Sequence, residues 1–158
     1  MVITEMSIIK LKPLDKTDAE IVFQWRNDPF IYNLGTQQKT VEWEEHLKWI
    51  NDTITNKTRK AFIILIDNIP AGQVRFDRES PGSENCVISV YLIELFTGKG
   101  YGIEAIKAGC NEIRKIWSQK LSVFAEVRKD NVNSQKAFVK AGFTLSGKNQ
   151  HSFIYEFK

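Results

Sequence analysis

Three glycines fall within five residues in Thr97-Gly98-Lys99-Gly100-Tyr101-Gly102. Glycine takes positive φ at little cost and lets a ligand come close to the backbone. The preceding Cys86-Val87-Ile88-Ser89-Val90 is β-branched and apolar, as a strand prefers. Downstream, Ile103, Ile106, Cys110, Ile113 and Trp117 recur at helical spacing. The stretch from Tyr91 to Ile103 therefore predicts a strand end, a tight turn and a helix start. A helix start carries unpaired N–H groups and the positive end of the helix dipole. With Lys99 beside it, that is a seat for phosphate. The pattern is not a P-loop, because Gly-x-x-x-x-Gly-Lys-Ser/Thr is absent. It is not a dinucleotide fingerprint either, whose third glycine, counted from Gly98, would fall on Ile103. A strand-to-helix connection with no ligand is the alternative.

A second junction runs from Asn131 to Phe143. A polar turn opens a short helix, and Gly142 takes the C-cap position. Other candidates are isolated side chains. Arg26 lies one turn beyond Val22 and Phe23 on a core-facing side, where an arginine needs a partner; it makes either a structural ion pair or an anion or hydroxyl contact in an acceptor site. His46, between Trp43 and Ile50 on an apolar flank, is either a satisfied core residue or an acceptor-binding and proton-relay group. Gln73, Arg75 and Asp77 alternate onto one strand face, from which Arg75 can reach a neighbouring cleft. Glu84, at a strand start, and Glu126 are candidate general bases among carboxylates that are ordinarily just solvated.

These groups must be positioned by the following elements. A first strand covers Ile8 to Lys12 and ends at Pro13. A helix carries Ala19, Val22, Phe23 and Arg26 and stops at Asp28-Pro29. Residues Phe30 to Lys39 form a longer loop. A second helix opens at Thr40 or Val41, with Trp43, Leu47, Ile50 and Ile54 as its apolar face. The run Phe62 to Ile66 suits a strand covered on both faces. Asp67-Asn68 makes a hairpin turn into Gly72 to Asp77. The strand from Cys86, the glycine turn and its helix come next. Leu121 to Val127 is a strand, the helix from Asn133 follows, and two strands around Thr144 and Ile154 close the chain. Strand, two helices, three strands, helix, strand, helix and two strands predict an α/β fold with a mixed sheet and helices on both faces.

Composition sets the remaining bounds. With 158 residues the chain suits one domain, residues 1–158. Hydrophobic and charged contents of 42% and 26% are those of a soluble globular protein. A net charge of +3 suits an anionic cofactor or substrate and is too weak to imply nucleic acid. Cys86 and Cys110, in a strand and a helix, are expected as buried free thiols. No signal pattern and no membrane-length apolar run are present, so the expected setting is cytoplasmic.

The two junctions together resemble the GNAT N-acetyltransferase family. Its acetyl-CoA loop, Arg/Gln-x-x-Gly-x-Gly/Ala, is matched from Gly100 onward, and its later segment is matched by Asn131, Ser134, Phe138, Gly142 and Phe143. Two positions depart: the Arg/Gln is Thr97, and an aromatic that is often a thiolate-protonating tyrosine is Phe138. The resemblance implies a central, mostly antiparallel sheet of about seven strands. Two parallel strands within it, ending near Leu92 and Val127, splay into a V and admit the pantetheine arm. It implies acetyl-CoA as cosubstrate and no metal. Leu92 and Glu94 would pair with pantetheine by their backbone. Thr97, Gly98, Lys99, Gly100, Tyr101 and Gly102 would hold the pyrophosphate, and Asn131, Ser134 and Phe138 would lie along the far side of the arm. Acetyl would pass directly to a neutral amine, with the Leu92 N–H as oxyanion donor and water, Tyr91 or Ser134 as proton source for the thiolate.

The strings Trp25-Arg26-Asn27-Asp28-Pro29 and Glu45-His46-Leu47-Lys48-Trp49 narrow the resemblance. They are similar to the branch holding ribosomal-protein acetyltransferases and enzymes that acetylate nucleotide-linked 4-amino-dideoxy sugars for nonulosonic acids. There Arg26, His46 and Tyr91 would face the sugar nucleotide. A small-molecule amine, a UDP-linked sugar first, is therefore the expected partner, for a monomer or homodimer with no nucleic acid and no membrane. A protein N-terminal acetyltransferase and a non-enzymatic coenzyme A-binding module are the competing readings.

Overall fold

In the computed structural model, residues 7–35 and 38–158 are described. The chain begins with β1 (Ile9–Pro13) and a 3-10 turn whose Asp15 and Asp18 form a reciprocal capping box. Then come α1 (Ala19–Arg26), α2 (Pro29–Tyr32) and α3 (Trp43–Thr55). Three strands follow, β2 (Arg59–Ile66), β3 (Ile69–Asp77) and β4 (Asn85–Leu92), and then α4 (Tyr101–Ile116). The chain closes with β5 (Ser122–Arg128), α5 (Val132–Lys140), β6 (Thr144–Lys148) and β7 (Ser152–Phe157).

The seven strands form one sheet in the order β1-β2-β3-β4-β5-β7-β6. Among the described residues only β4 and β5 are parallel, and the other five pairs are antiparallel. Alternation decides which side chains go where. Phe62, Ile64, Val74, Phe76, Cys86 and Ile88 turn to one face, where they bury Ala105, Ile106, Cys110 and Ile113 of α4 and Phe138 of α5. Ala61 and Ile63 turn to the other face, beneath Ala19, Val22 and Trp25 of α1 and Ile50 of α3. That is why β2 is apolar along its length. The hairpin at Asp67-Asn68 has φ of 50° and 66°, as a two-residue primed turn requires. A bulge follows at once, where Leu65 faces Pro70 and Ile64 faces Gly72.

Two expectations change. Phe30 to Lys39 is not all loop: Asp28 accepts from the Phe30 amide, Pro29 takes the first helical turn, and α2 forms. The second helix begins at Trp43, and its buried face is His46, Ile50 and Thr53, with Leu47 partly buried against the same core, rather than Trp43 and Ile54. Trp43 and Ile54 are exposed, because α3 packs through His46 onto α1 and Trp43 leans on Phe23 at the helix rim.

Candidate functional site

The β4–β5 ladder covers only Asn85–Val87 against Ser122–Phe124. Both strands continue beyond it, β4 to Leu92 and β5 to Arg128, so they part without a partner between them. On its other side β4 stays paired with β3: Tyr91 faces Gln73, Leu92 faces Gly72, and the Ile93 amide donates to the Ala71 carbonyl at 2.8 Å. In an antiparallel pair the bonded positions alternate. Tyr91 and Ile93 spend their backbone groups on β3, so Val90 and Leu92 present theirs to the split. Gly72 makes this close approach possible, since a Cβ there would stand 2.1 Å from the Tyr91 carbonyl oxygen.

The glycine turn closes the same end of the split. Gly98 and Gly100 have φ of 74° and 85°, left-handed values that favour glycine, and open space surrounds both. Gly100 is the N-cap of the 16-residue α4 and offers no side-chain cap. The amides from Gly98 to Ile103 donate to no cap or turn acceptor among the described residues. The Leu92 side chain lies 3.9 Å from where a Cβ on Gly102 would stand, so strand edge and helix start adjoin. Exposed donors, the dipole's positive end and the exposed Lys99 can hold a diphosphate, with an extended arm running from it along Val90 and Leu92.

Other predicted cofactor residues fall unevenly. Glu94 lies in a 3-10 turn instead of extending the strand, and its carbonyl is taken by the Thr97 amide at 3.1 Å and hydroxyl at 2.7 Å. The pairing edge therefore stops at Leu92, and Thr97 closes a turn. Asn131 caps α5 by accepting from the Ser134 amide at 3.2 Å, its amide group having no hydrogen-bond partner among the described residues, with Ser134 half-buried one turn into the helix. Phe138 is withdrawn from the cleft altogether. It is 3% exposed and packs edge-on against Phe143, 5.0 Å between centroids, so it is core rather than a cofactor contact.

On the opposite face of β3 and β4 a cationic group gathers. Arg26 lies over the Trp49 ring at 4.6 Å and Arg75 over the same ring at 5.7 Å. Arg75 pairs with Asp77 at 2.8 Å, and Asp77 also takes Arg59 at 2.7 Å. Arg26 has no carboxylate within ion-pair distance among the described residues. Its side chain donates to His46 Nδ1 at 3.0 Å. Tyr91 stands nearby, edge-on to Trp25, its hydroxyl 3.4 Å from Gln73 Oε1. Burial pushes this phenol well above its ordinary range, against the pull of Arg26 and Arg75. Tyr91 is therefore a neutral O–H donor.

Of its two expected readings, His46 takes that of a satisfied core residue and not that of an acceptor contact. It is fully buried, and both ring nitrogens are engaged within the protein. No acceptor can touch it. Glu84 is exposed at the opposite end of β4, eight positions from Leu92, or about 26 Å along an extended strand. It is not part of this group. Glu126 is exposed and accepts from Asn149 on the rim of an open hollow of about 560 Å³, lined also by Gln38, Arg128, His151 and Ser152. Arg128 ties that rim to the turn after α2 by donating to the Asn33 carbonyl at 2.7 Å. Sequence reasoning missed Gly72, Trp49, Gln73 and Arg128. Gly72 was visible as a glycine inside a strand pattern, and Trp49 as the residue three after His46.

Cys86 and Cys110 are buried free thiols, pushed by burial up to about 12 and so unreactive. Among the described residues no helix is long and apolar enough to cross a membrane.

Residues 9–144 match the model of the acetyltransferase (GNAT) domain. The chain is 29% identical over 142 residues to the acetyltransferase PseH of Campylobacter jejuni, covering 87% of this chain and 86% of that one. The crystal structure of a domain from Methanocaldococcus jannaschii superposes with a TM-score of 0.82 at 25% identity, over 96% of this chain and 99% of that one. The ribosomal-protein acetyltransferase RimL in complex with coenzyme A superposes with a TM-score of 0.80 at 19% identity, over 94% and 93%, a likeness of fold alone.

Proposed function

The chain belongs to the GNAT acetyltransferase family, an N-acetyltransferase that draws on acetyl-CoA, and from that premise we propose that its acceptor is a primary amine on an anionic handle. A UDP-linked 4-amino-dideoxy sugar of nonulosonic acid biosynthesis fits best. The observation that carries this reading is Arg26, a half-buried guanidinium with no carboxylate partner among the described residues, set against Trp49 beside Arg75. Arginine is the side chain best shaped for two oxygens of a phosphate. The likeness to PseH supports the same acceptor class.

In this reading the diphosphate of acetyl-CoA lies on the amides of Gly98 to Ile103 and pantetheine pairs with the free edge of β4. The neutral amine attacks the thioester carbonyl from the face that carries Tyr91. Its nitrogen forms the new C–N bond, and the carbonyl oxygen becomes an oxyanion held by the Leu92 N–H. The C–S bond breaks and the electron pair leaves on sulfur. The amine proton passes to water, and the thiolate leaves without a side-chain acid, since Phe138 has no proton to give. A thiol of this kind, with a pKa of about 8.5 as in free cysteine, can depart unprotonated. Tyr91, a neutral donor, orients the acceptor.

A thiol-release assay with acetyl-CoA and a panel of UDP-amino-sugars, peptides and polyamines tests the proposal. We expect turnover with a UDP-4-amino-sugar. Turnover only with an N-terminal peptide or a polyamine refutes it.

A further inference from the structure

His46 is fully buried, yet it is neither a spare core residue nor a substrate contact. Its Nε2 lies 2.7 Å from the Ala19 carbonyl oxygen, which can only accept. Nε2 must therefore carry the proton. Its Nδ1 lies 3.0 Å from Arg26 Nη1, which can only donate. Nδ1 must therefore be bare. Two independent partners, one on the backbone of α1 and one at the end of that helix, demand the same neutral tautomer. The ring is fixed in this plane by Trp49, stacked 18° from parallel at 6.1 Å, and by Phe23 and Trp43 at its other sides.

A buried arginine is ordinarily held by a carboxylate, which cancels its charge. Arg26 is held by a neutral imidazole nitrogen instead. The bond spends one of five N–H donors and fixes the plane of the guanidinium over Trp49 without supplying a counter-charge. We propose that His46 is a positioning residue for acceptor recognition: as the Nε2–H tautomer it orients Arg26 while leaving the charge of Arg26 for an anionic oxygen pair on the acceptor. This rests on the reading that Arg26 faces the acceptor and assigns His46 a role at one remove from it.

Two isosteric variants separate the two hydrogen bonds. In His46→Gln the side-chain amide reaches the Nε2 position and keeps the tie to Ala19, but the acceptor at Nδ1 is lost. In His46→Asn the carbonyl oxygen occupies the Nδ1 position and keeps the bond from Arg26, but the tie to Ala19 is lost. With UDP as the probe in titration calorimetry, we expect His46→Gln to weaken binding about tenfold, with acetyl-CoA affinity unchanged. His46→Asn, despite a lower melting temperature, should bind UDP within about twofold of the parent. Equal weakening in both variants, or weakening that follows the melting temperature, overturns the proposal. Arg26→Gln is measured beside them. If it leaves UDP affinity intact, the acceptor reading itself fails. If it weakens UDP binding and His46→Gln does not, only the role of His46 fails. A second measurement needs no variant: nitrogen-15 spectra of the imidazoles should show His46 with a bare Nδ1 and a protonated Nε2. A protonated Nδ1 overturns the inference.

Discussion

Replacing Gly72 by alanine tests how the cleft edge is held. A Cβ at Gly72 would lie 2.1 Å from the Tyr91 carbonyl oxygen and 2.9 Å from Leu92 Cα. Ordinary contacts between heavy atoms lie near 3.5 Å, so the β4 backbone must retreat by more than about 1 Å. Both obstructing atoms are backbone, and no side-chain rotation relieves them. The retreat stretches the Ala71–Ile93 bond, now 2.8 Å, beyond the useful range of about 3.2 Å. Overpacking of this kind costs about 1–3 kcal/mol, and a weakened ladder bond adds about 1 kcal/mol. The larger effect falls on function. Leu92 faces Gly72 across the ladder and presents its N–H to the split. A displacement of about 1 Å at a catalytic donor lowers the rate by about 10²-fold. Urea unfolding should show a loss of about 2–4 kcal/mol, adding the two terms above. Acetyl transfer in the folded variant should fall roughly 100-fold in kcat/KM. A variant with parental stability and kcat/KM within about threefold, well under that displacement cost, would refute the argument that this glycine sets the position of the Leu92 amide.

Further outcomes follow from particular groups. Gly100→Glu should abolish acetyl-CoA binding in calorimetry while the far-ultraviolet spectrum stays native, because the site has space for the side chain and the damage is a misplaced carboxylate and a strained φ of 85°. Thr53 Oγ1 is buried without a hydrogen-bond partner among the described residues; Thr53→Val should therefore be neutral or stabilise by about 1 kcal/mol, read from the thermal midpoint. Burial, and to a smaller degree Arg26, lowers the pKa of His46 below 6.5, with the Ala19 carbonyl opposing. A histidine with a depressed folded pKa contributes stability that is complete above about pH 6.5 and is lost as pH falls through the folded value. Chemical unfolding should therefore show declining stability below pH 6.5, and His46→Gln should flatten that decline.

The succession of elements and the glycine turn were legible because they rest on local signals, whereas the parallel pair was implied only by the family resemblance and the order of strands across the sheet was not legible at all. Alternation in Gly72–Asp77, the β-branched run into Leu92 and the turn at Asp67-Asn68 each state their own geometry. The roles of Gly72 and His46 were not legible, since they depend on pairings distant in sequence. Nothing near Gly72 announces that Tyr91 will press against it, and nothing near His46 announces the carbonyl of Ala19. The apolar face of α3 was misplaced for a related reason: Trp43 and Ile54 fit the helical period, but tertiary packing through His46 turned a different set inward. Phe138 was drawn from the family pattern toward the cofactor, whereas its neighbours Phe143 and Phe157 form an aromatic stack that keeps it in the core. Glu84 stands just before β4, the strand that ends at Leu92, and the split opens at the other end of that strand.

A crystal structure of the protein with bound coenzyme A tests the central account most directly. The account places the diphosphate oxygens within about 3 Å of amides between Gly98 and Ile103, with pantetheine paired along Val90 and Leu92. A cofactor bound elsewhere, or one whose diphosphate is held by side chains while these amides face solvent, would contradict it.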